Sequence, residues 1–155
     1  MNSRASGPLK EAEYFPKGVA VMSVEELHSA GIGKAASRAP TVLVVEDQVL
    51  LRLYVSEMIS EAGYTVLSAE NADEALSVIT SNPEIRLVFS DFEMPSVMNG
   101  LDLGNYLFRT RPDVAFVLTS GAKMEEGFAL PPRGLFVSKP FLESDVCSAL
   151  AQLVH

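Results

Sequence analysis

The chain is poor in the residues that characterise several protein classes. Its 155 residues include one cysteine, two histidines and no tryptophan. A single cysteine, Cys147, excludes an intramolecular disulfide and a cysteine-rich zinc site, and this usage suits a reducing compartment, so we expect a cytoplasmic protein. No apolar run approaches the roughly 20 residues that a membrane-spanning helix needs.

Positive charge is also scarce. Twelve lysines and arginines stand against twenty acidic residues, which gives a net charge of −8. Residues 1–40 hold five basic and four acidic residues, whereas residues 41–155 hold seven basic and sixteen acidic ones. Because binding to nucleic acid or to an anionic membrane requires clustered positive charge, we expect neither as a partner.

The composition divides the chain into two segments. Residues 1–40 are rich in glycine, alanine, serine and proline and show little periodicity. We predict an N-terminal extension that is mostly flexible, with one short helix allowed by the capping-box spacing of Ser23 and Glu26. Residues 41–155 are long enough for one folded domain with a sizeable core.

From Thr41 onward, apolar runs alternate with segments of helical periodicity. The runs predict five strands, at residues 41–45, 65–69, 85–90, 114–118 and 135–137. Helical spacing predicts helices over 51–62, 72–79, 101–107 and 146–153. A further helix is expected between the last two strands, but Gly127, Pro131, Pro132 and Gly134 interrupt it, so we predict it to be short, over 123–128, or irregular. The pattern predicts a doubly wound α/β fold, a parallel sheet between two helical layers.

Polar residues follow the ends of four predicted strands. Glu46 and Asp47 follow the first strand, Asp91 the third, Thr119 the fourth and Lys139 the fifth. Ligands of open α/β sheets bind beyond the carboxyl ends of the strands. If the first and third strands are neighbours, three carboxylates converge and repel one another. A divalent cation with oxygen ligands, most commonly Mg²⁺, would compensate that repulsion.

A pocket that combines Mg²⁺ with an ammonium group suits a phosphoryl group. Both cations would neutralise charge on the transferring oxygens, so that one carboxylate is able to act as the nucleophile. Asp91 is the best candidate because it is the lone acid at the end of the central strand. The hydroxyl of Thr119 offers a donor to a phosphoryl oxygen. We therefore predict an aspartyl phosphate at Asp91.

At these residues the chain resembles the receiver domain of two-component response regulators, over residues 41 to about 154. The resemblance is carried by four motifs: Val-Val-Glu46-Asp47, Ser90-Asp91-Phe-Glu-Met94-Pro95 with Asn99-Gly100, Leu-Thr119-Ser120-Gly121, and Phe136-Val-Ser-Lys139-Pro140. It implies a flavodoxin-like (βα)5 fold, a three-layer sandwich with strand order 2-1-3-4-5. It also implies a stand-alone, single-domain type of regulator.

The resemblance assigns roles to individual residues. It implies a phosphorylated Asp91 and four residues that hold Mg²⁺: Glu46, Asp47, Asp91 and, through its backbone carbonyl, Glu93. It further implies that Lys139 contacts the phosphoryl group and that Thr119 and Phe136 form the switch. The Lys139–Pro140 peptide bond is expected to be cis.

The function implied is phosphoacceptor signalling. A sensor histidine kinase or a histidine phosphotransfer protein would phosphorylate Asp91. The phosphorylated domain would then bind a downstream protein, or pass the phosphoryl group on to a histidine phosphotransfer protein. Because the resemblance reaches nearly to His155, we expect output through a separate protein, from a monomer or weak homodimer. Such a domain is not an enzyme beyond its own phosphorylation and dephosphorylation.

Two other functions stay open at this stage. One is a small Mg²⁺-dependent phosphohydrolase with Asp91 as the nucleophile and Glu93 as a second acid. The other is a pseudo-receiver that binds partners without being phosphorylated.

Overall fold

The folded domain is a five-stranded α/β unit. The computed structural model describes residues 38–125 and 128–154. Its strands are β1 (Thr41–Val45), β2 (Thr65–Ala69), β3 (Ile85–Asp91), β4 (Ala115–Ser120) and β5 (Gly134–Ser138). Its helices are α1 (Val49–Glu61), α2 (Ala72–Ser81), α3 (Gly100–Thr110) and α4 (Glu143–Leu153). Of the predicted extension over residues 1–40, residues 1–37, with the possible helix at Ser23, lie outside the described residues.

All strand pairs are parallel, and the sheet order is β2-β1-β3-β4-β5. This order confirms the one implied by the resemblance. In the register between β3 and β4, Asp91 lies beside Thr119, so the carboxyl ends of the central strands are level. Within the described part of the chain, every helix is too short or too polar to cross a membrane.

The core has two halves, one on each face of the sheet. Alternate residues of β1 point to opposite faces, as the strand geometry requires. Val42 and Val44 pack with α1 and α4, whereas Leu43 and Val45 pack with α2 and α3. Because both faces are covered, all five residues of β1 are buried, which explains its uninterrupted apolar sequence.

The connection between β4 and β5 departs from the expected five-helix pattern. Residues 121–125 and 128–133 contain no helix, so the predicted irregular connection is confirmed, whereas the short helix over 123–128 is not found there. Pro131 and Pro132 lack the backbone N–H groups that a helix needs. The chain instead turns at Arg133, whose φ is 61°, and the backbone N–H of Gly134 donates to the carbonyl of Pro131 at 2.9 Å. The turn leads directly into β5.

Side-chain caps fix the starts of α2 and α3. The carboxamide of Asn71 accepts the N–H of Glu74 at 2.9 Å. The Glu74 carboxylate accepts the N–H of Glu70 at 2.8 Å, whereas in a capping box it would accept the N–H of Asn71 itself. A reciprocal capping box joins Asn99 and Asp102, at 2.9 and 3.1 Å. The start of α3 is therefore set beside the end of β3.

An ionic cluster lies at the end of the sheet where the strands begin. The guanidinium of Arg111 donates to both carboxylate oxygens of Asp113, each at 2.9 Å. The same guanidinium donates to the carbonyls of Pro83 and Ile85, both at 3.2 Å. These hydrogen bonds from Arg111, assisted by the charge of Arg86, lower the pKa of Asp113 below its ordinary value. The cluster joins the start of β3 to the end of α3.

We expect Asp113→Asn to lower the free energy of unfolding by about 0.5–1 kcal/mol at neutral pH, the magnitude of a half-exposed ion pair. A carboxylate whose folded pKa is depressed stabilises the protein above its unfolded pKa, and this contribution is lost as the pH falls through the folded pKa. Urea unfolding at neutral and strongly acidic pH measures the difference, with the exposed Glu57→Gln as the control. An equal loss at both pH values would contradict this assignment.

Candidate functional site

Three carboxylates converge at the carboxyl edge of the sheet. One oxygen atom from each of Glu46, Asp47 and Asp91 lies within 4.8 Å of the others. Glu46 and Asp91 are buried, with 4% and 6% of their surface exposed, whereas Asp47 faces solvent. The cluster forms because β1 and β3, whose ends carry these residues, are neighbours in the sheet.

An ammonium group completes the cluster. The Nζ of Lys139 lies 3.2 Å from Oδ1 of Asp91 and 3.3 Å from Oε2 of Glu46. Lys139 follows β5, and its backbone N–H donates to the carbonyl of Ser120 at 2.9 Å. The bond between Lys139 and Pro140 is cis, as the resemblance implies. One ammonium beside three carboxylates leaves an excess of negative charge.

The pKa of Glu46 reflects its burial first and the neighbouring charges second. Burial raises the pKa of this carboxyl above its ordinary value, and the charge of Asp91 raises it further. The N–H of Gln48, 3.1 Å from Oε1, and the ammonium of Lys139 oppose the rise. A cation bound here would favour the ionised form. The donor set consists of hard oxygen atoms, which fit Mg²⁺.

Thr119 lies on β4 directly beside Asp91. Its hydroxyl is buried and donates to the carbonyl of Ser90 at 3.5 Å, a long and therefore weak hydrogen bond. Its own carbonyl accepts the N–H of Phe92 at 2.8 Å. The strand is thus held firmly, whereas the hydroxyl is free to exchange this acceptor for a better one.

Phe136 is placed across β4 from Asp91, on the outer strand β5. The ring is half-buried and packs edge-on against Phe128, with centroids 6.3 Å apart. Phe136 lines a cavity of about 460 Å³, together with Gly121 and Lys123 among others. The ring therefore borders open space and does not belong to the acidic cluster.

Glu93 is a predicted site residue whose side chain lies outside the carboxylate cluster. It is exposed and does not belong to the carboxylate cluster of the described residues. The predicted contribution of its backbone carbonyl to metal binding stays a prediction.

Two contacts at the site were missed by the sequence interpretation. The N–H of Gly100 donates to the carbonyl of Phe92 at 2.9 Å, which brings α3 against the backbone of Asp91. A Cβ on Gly100 would overlap the carbonyl oxygen of Asp91 and lie 2.8 Å from Cδ1 of Leu118. The second contact joins Arg52 of α1 to the carbonyl of Glu46, at 2.6 Å. Helical periodicity offers no signal for either contact, because both depend on how the elements pack.

Gly100→Ala is expected to lower the free energy of unfolding by about 1–3 kcal/mol, because the added methyl group meets backbone atoms that cannot rotate away. The displaced Asp91 should also bind Mg²⁺ more weakly. Urea unfolding without metal and calorimetric titration with Mg²⁺ measure the two effects. Gly121→Ala is the matched control, since its nearest neighbour, Cβ of Lys139, would lie 3.9 Å away. Equal behaviour of the two variants would contradict the close approach.

The chain has clear similarity to known sequences. The family model for the response regulator receiver domain matches residues 42–151. The sensor kinase CckA of Brucella abortus is 33% identical over 124 residues, which cover 77% of this chain and 13% of CckA. The chemotaxis protein CheY1 of Helicobacter pylori is 33% identical over 107 residues, which cover 64% of this chain and 85% of CheY1. The chain thus spans a small part of CckA and most of CheY1.

Solved structures agree in fold. A response regulator receiver protein from Sinorhizobium medicae superposes with a TM-score of 0.67 at 24% sequence identity. The superposition covers 74% of this chain and 94% of that one.

Proposed function

The chain belongs to the response regulator receiver family, and from this membership we propose that Asp91 accepts a phosphoryl group from a phosphohistidine. Receiver domains are the signalling domains of two-component systems. The observation that carries the proposal is the position of the Asp91 carboxylate, 3.2 Å from the ammonium of Lys139 and clustered with Glu46 and Asp47.

The transfer is an in-line displacement. A carboxylate oxygen of Asp91 attacks phosphorus, the O–P bond forms as the P–N bond breaks, and the imidazole of the donor leaves. Lys139 stabilises negative charge on the transferring oxygens. The carboxylates of Glu46, Asp47 and Asp91 would hold Mg²⁺, which would supply further neutralisation of that charge.

Phosphorylation changes the charge beside Thr119. The phosphoryl group adds about −1.5 to −2 charges at neutral pH and brings three strong acceptors. The Thr119 hydroxyl exchanges its 3.5 Å hydrogen bond to Ser90 for a phosphoryl oxygen. Phe136 then moves toward the space that the hydroxyl leaves, and the domain shifts between two states.

An apolar surface on α1 supports the proposal that the phosphodonor is a protein. Four side chains of α1, here called the α1 patch, are exposed although apolar: Val49 (56%), Leu50 (83%), Leu53 (60%) and Tyr54 (55%). A cavity of about 580 Å³ adjoins the patch and is lined in part by Tyr54, Lys139 and Phe141. Exposed apolar surface of this kind marks protein interaction sites. We propose that a helical segment of a histidine kinase or phosphotransfer protein docks here.

The alternative functions receive less support. A phosphohydrolase of the kind considered uses a second acid two residues after the nucleophile, but the Glu93 side chain is exposed and outside the cluster. A pseudo-receiver has no need for the ammonium contact between Lys139 and Asp91. Cytoplasmic location, a monomer or weak homodimer, and phosphorylation-dependent binding of a downstream protein stay predictions.

Beryllofluoride, which mimics a phosphoryl group, should cause Mg²⁺-dependent NMR shifts at Thr119 and Phe136 in the wild-type chain. Asp91→Asn should abolish these shifts, because the amide is a poor ligand for beryllium. Asp73→Asn, at an exposed position on α2, is the control. Intact Mg²⁺ binding without a response would favour the pseudo-receiver, and turnover of free phosphomonoesters would favour the hydrolase.

With a histidine kinase that phosphorylates the wild type, Leu50→Ser should lower the rate of phosphotransfer by about tenfold, the effect of losing a hot-spot residue in an interface. Labelling by acetyl phosphate should be unchanged, since this small donor does not need the α1 patch. Phe108→Ser, at an exposed apolar position on α3, is the matched control. Equal slowing with both donors would place the defect in the acidic site and not in docking.

A further inference from the structure

The turn between β1 and α1 carries two of the three clustered carboxylates. Because Glu46 and Asp47 repel each other and Asp91, electrostatic force acts to open this turn. Two contacts oppose the opening: the N–H of Glu46 donates to the carbonyl of Ala69 at 3.1 Å, and the N–H of Gln48 donates to Oε1 of Glu46 at 3.1 Å. The conformation of the turn therefore decides where two metal-binding groups lie.

Arg52 closes this turn from the first turns of α1. Its Nη1 donates to the backbone carbonyl of Glu46 at 2.6 Å, and its backbone N–H donates to the carbonyl of Gln48 at 2.9 Å. A guanidinium donor makes a short, charge-assisted hydrogen bond, which is stronger than one between neutral groups. The side chain is half-buried, so solvent competes less for this bond than on an open surface.

We propose that Arg52 is a positioning residue for the metal site. Its guanidinium holds the carbonyl of Glu46, and thereby keeps the carboxylates of Glu46 and Asp47 close enough to Asp91 to share one Mg²⁺. Its positive charge also lowers the repulsion within the turn. Arg52 acts through the backbone of Glu46 and needs no contact with the ion or with the phosphoryl group. The inference rests on the proposed function, because it concerns the same Mg²⁺ site.

The test is calorimetric titration of the full chain with MgCl₂ at physiological ionic strength, where charges more than about 8 Å apart are screened. Arg52→Met removes the donor and keeps most of the aliphatic stem, and Arg52→Gln keeps a shorter, neutral donor. Both should weaken Mg²⁺ binding by about tenfold, the usual cost of losing a group that orients a metal ligand. Arg52→Lys, which keeps the charge, should recover part of the affinity. Arg109→Met removes an exposed arginine from the last turn of α3 and is the matched control.

The melting temperature without Mg²⁺ is measured in parallel, because it separates positioning from stability. An arginine with a merely structural role would lower the melting temperature and leave the Mg²⁺ affinity of the folded protein unchanged, which would overturn the inference. Equal weakening by Arg109→Met would also overturn it, since net charge alone would then account for the effect. A wild-type chain that does not bind Mg²⁺ would instead overturn the proposed function itself.

Discussion

Electrostatic repulsion among three carboxylates is the constraint on which the functional end of this domain depends. Glu46 and Asp91 are buried and Asp47 is close by, while Lys139 supplies one positive charge for Glu46 and Asp91. Such a pocket is electrostatically incomplete, so it favours a bound cation and, with the cation, a group rich in oxygen and negative charge. Burial raises the pKa of Glu46, and the charge of Asp91 adds to that rise, so a cation bound here would favour the ionised carboxylate.

The fold keeps these carboxylates together despite their repulsion, because it fixes the backbone around the pocket. Parallel pairing of β1, β3 and β4 places Asp91 between the turn after β1 and Thr119. Gly100 allows α3 to begin against the carbonyl of Asp91, and the reciprocal cap between Asn99 and Asp102 sets that beginning. Contacts to the backbone around the pocket thus help to hold its charged side chains in place.

The connection from β4 to β5 is where this domain differs from the expected pattern of alternating strands and helices. A helix is expected in each of the four crossover connections of this fold, but residues 121–125 and 128–133 contain none. Half-buried apolar side chains, among them Phe128 and Phe136, cover this part of the sheet and leave a cavity of about 460 Å³ between them. The Phe136 ring contacts Phe128 but also borders this open space, so fewer close-packed neighbours oppose its movement than in a filled core. This suits Phe136 to its predicted part in the switch.

The sequence by itself determined the five strands, four of the helices and the polar residues that follow the strands, because each depends on short-range periodicity or on one residue at a strand end. It also indicated the irregular crossing, since Pro131 and Pro132 are incompatible with the interior of a helix. Periodicity did not determine that β1 lies beside β3. The family resemblance implied that order, and it depends on hydrogen bonds between strands that lie far apart in the sequence. The tertiary structure alone decided the contact of Arg52 with Glu46, the closeness of Gly100 to Asp91 and the exposure of Leu50. These depend on the angle and depth at which helices pack on the sheet, and the spacing of residues along one helix carries no information about what the neighbouring element presents to it.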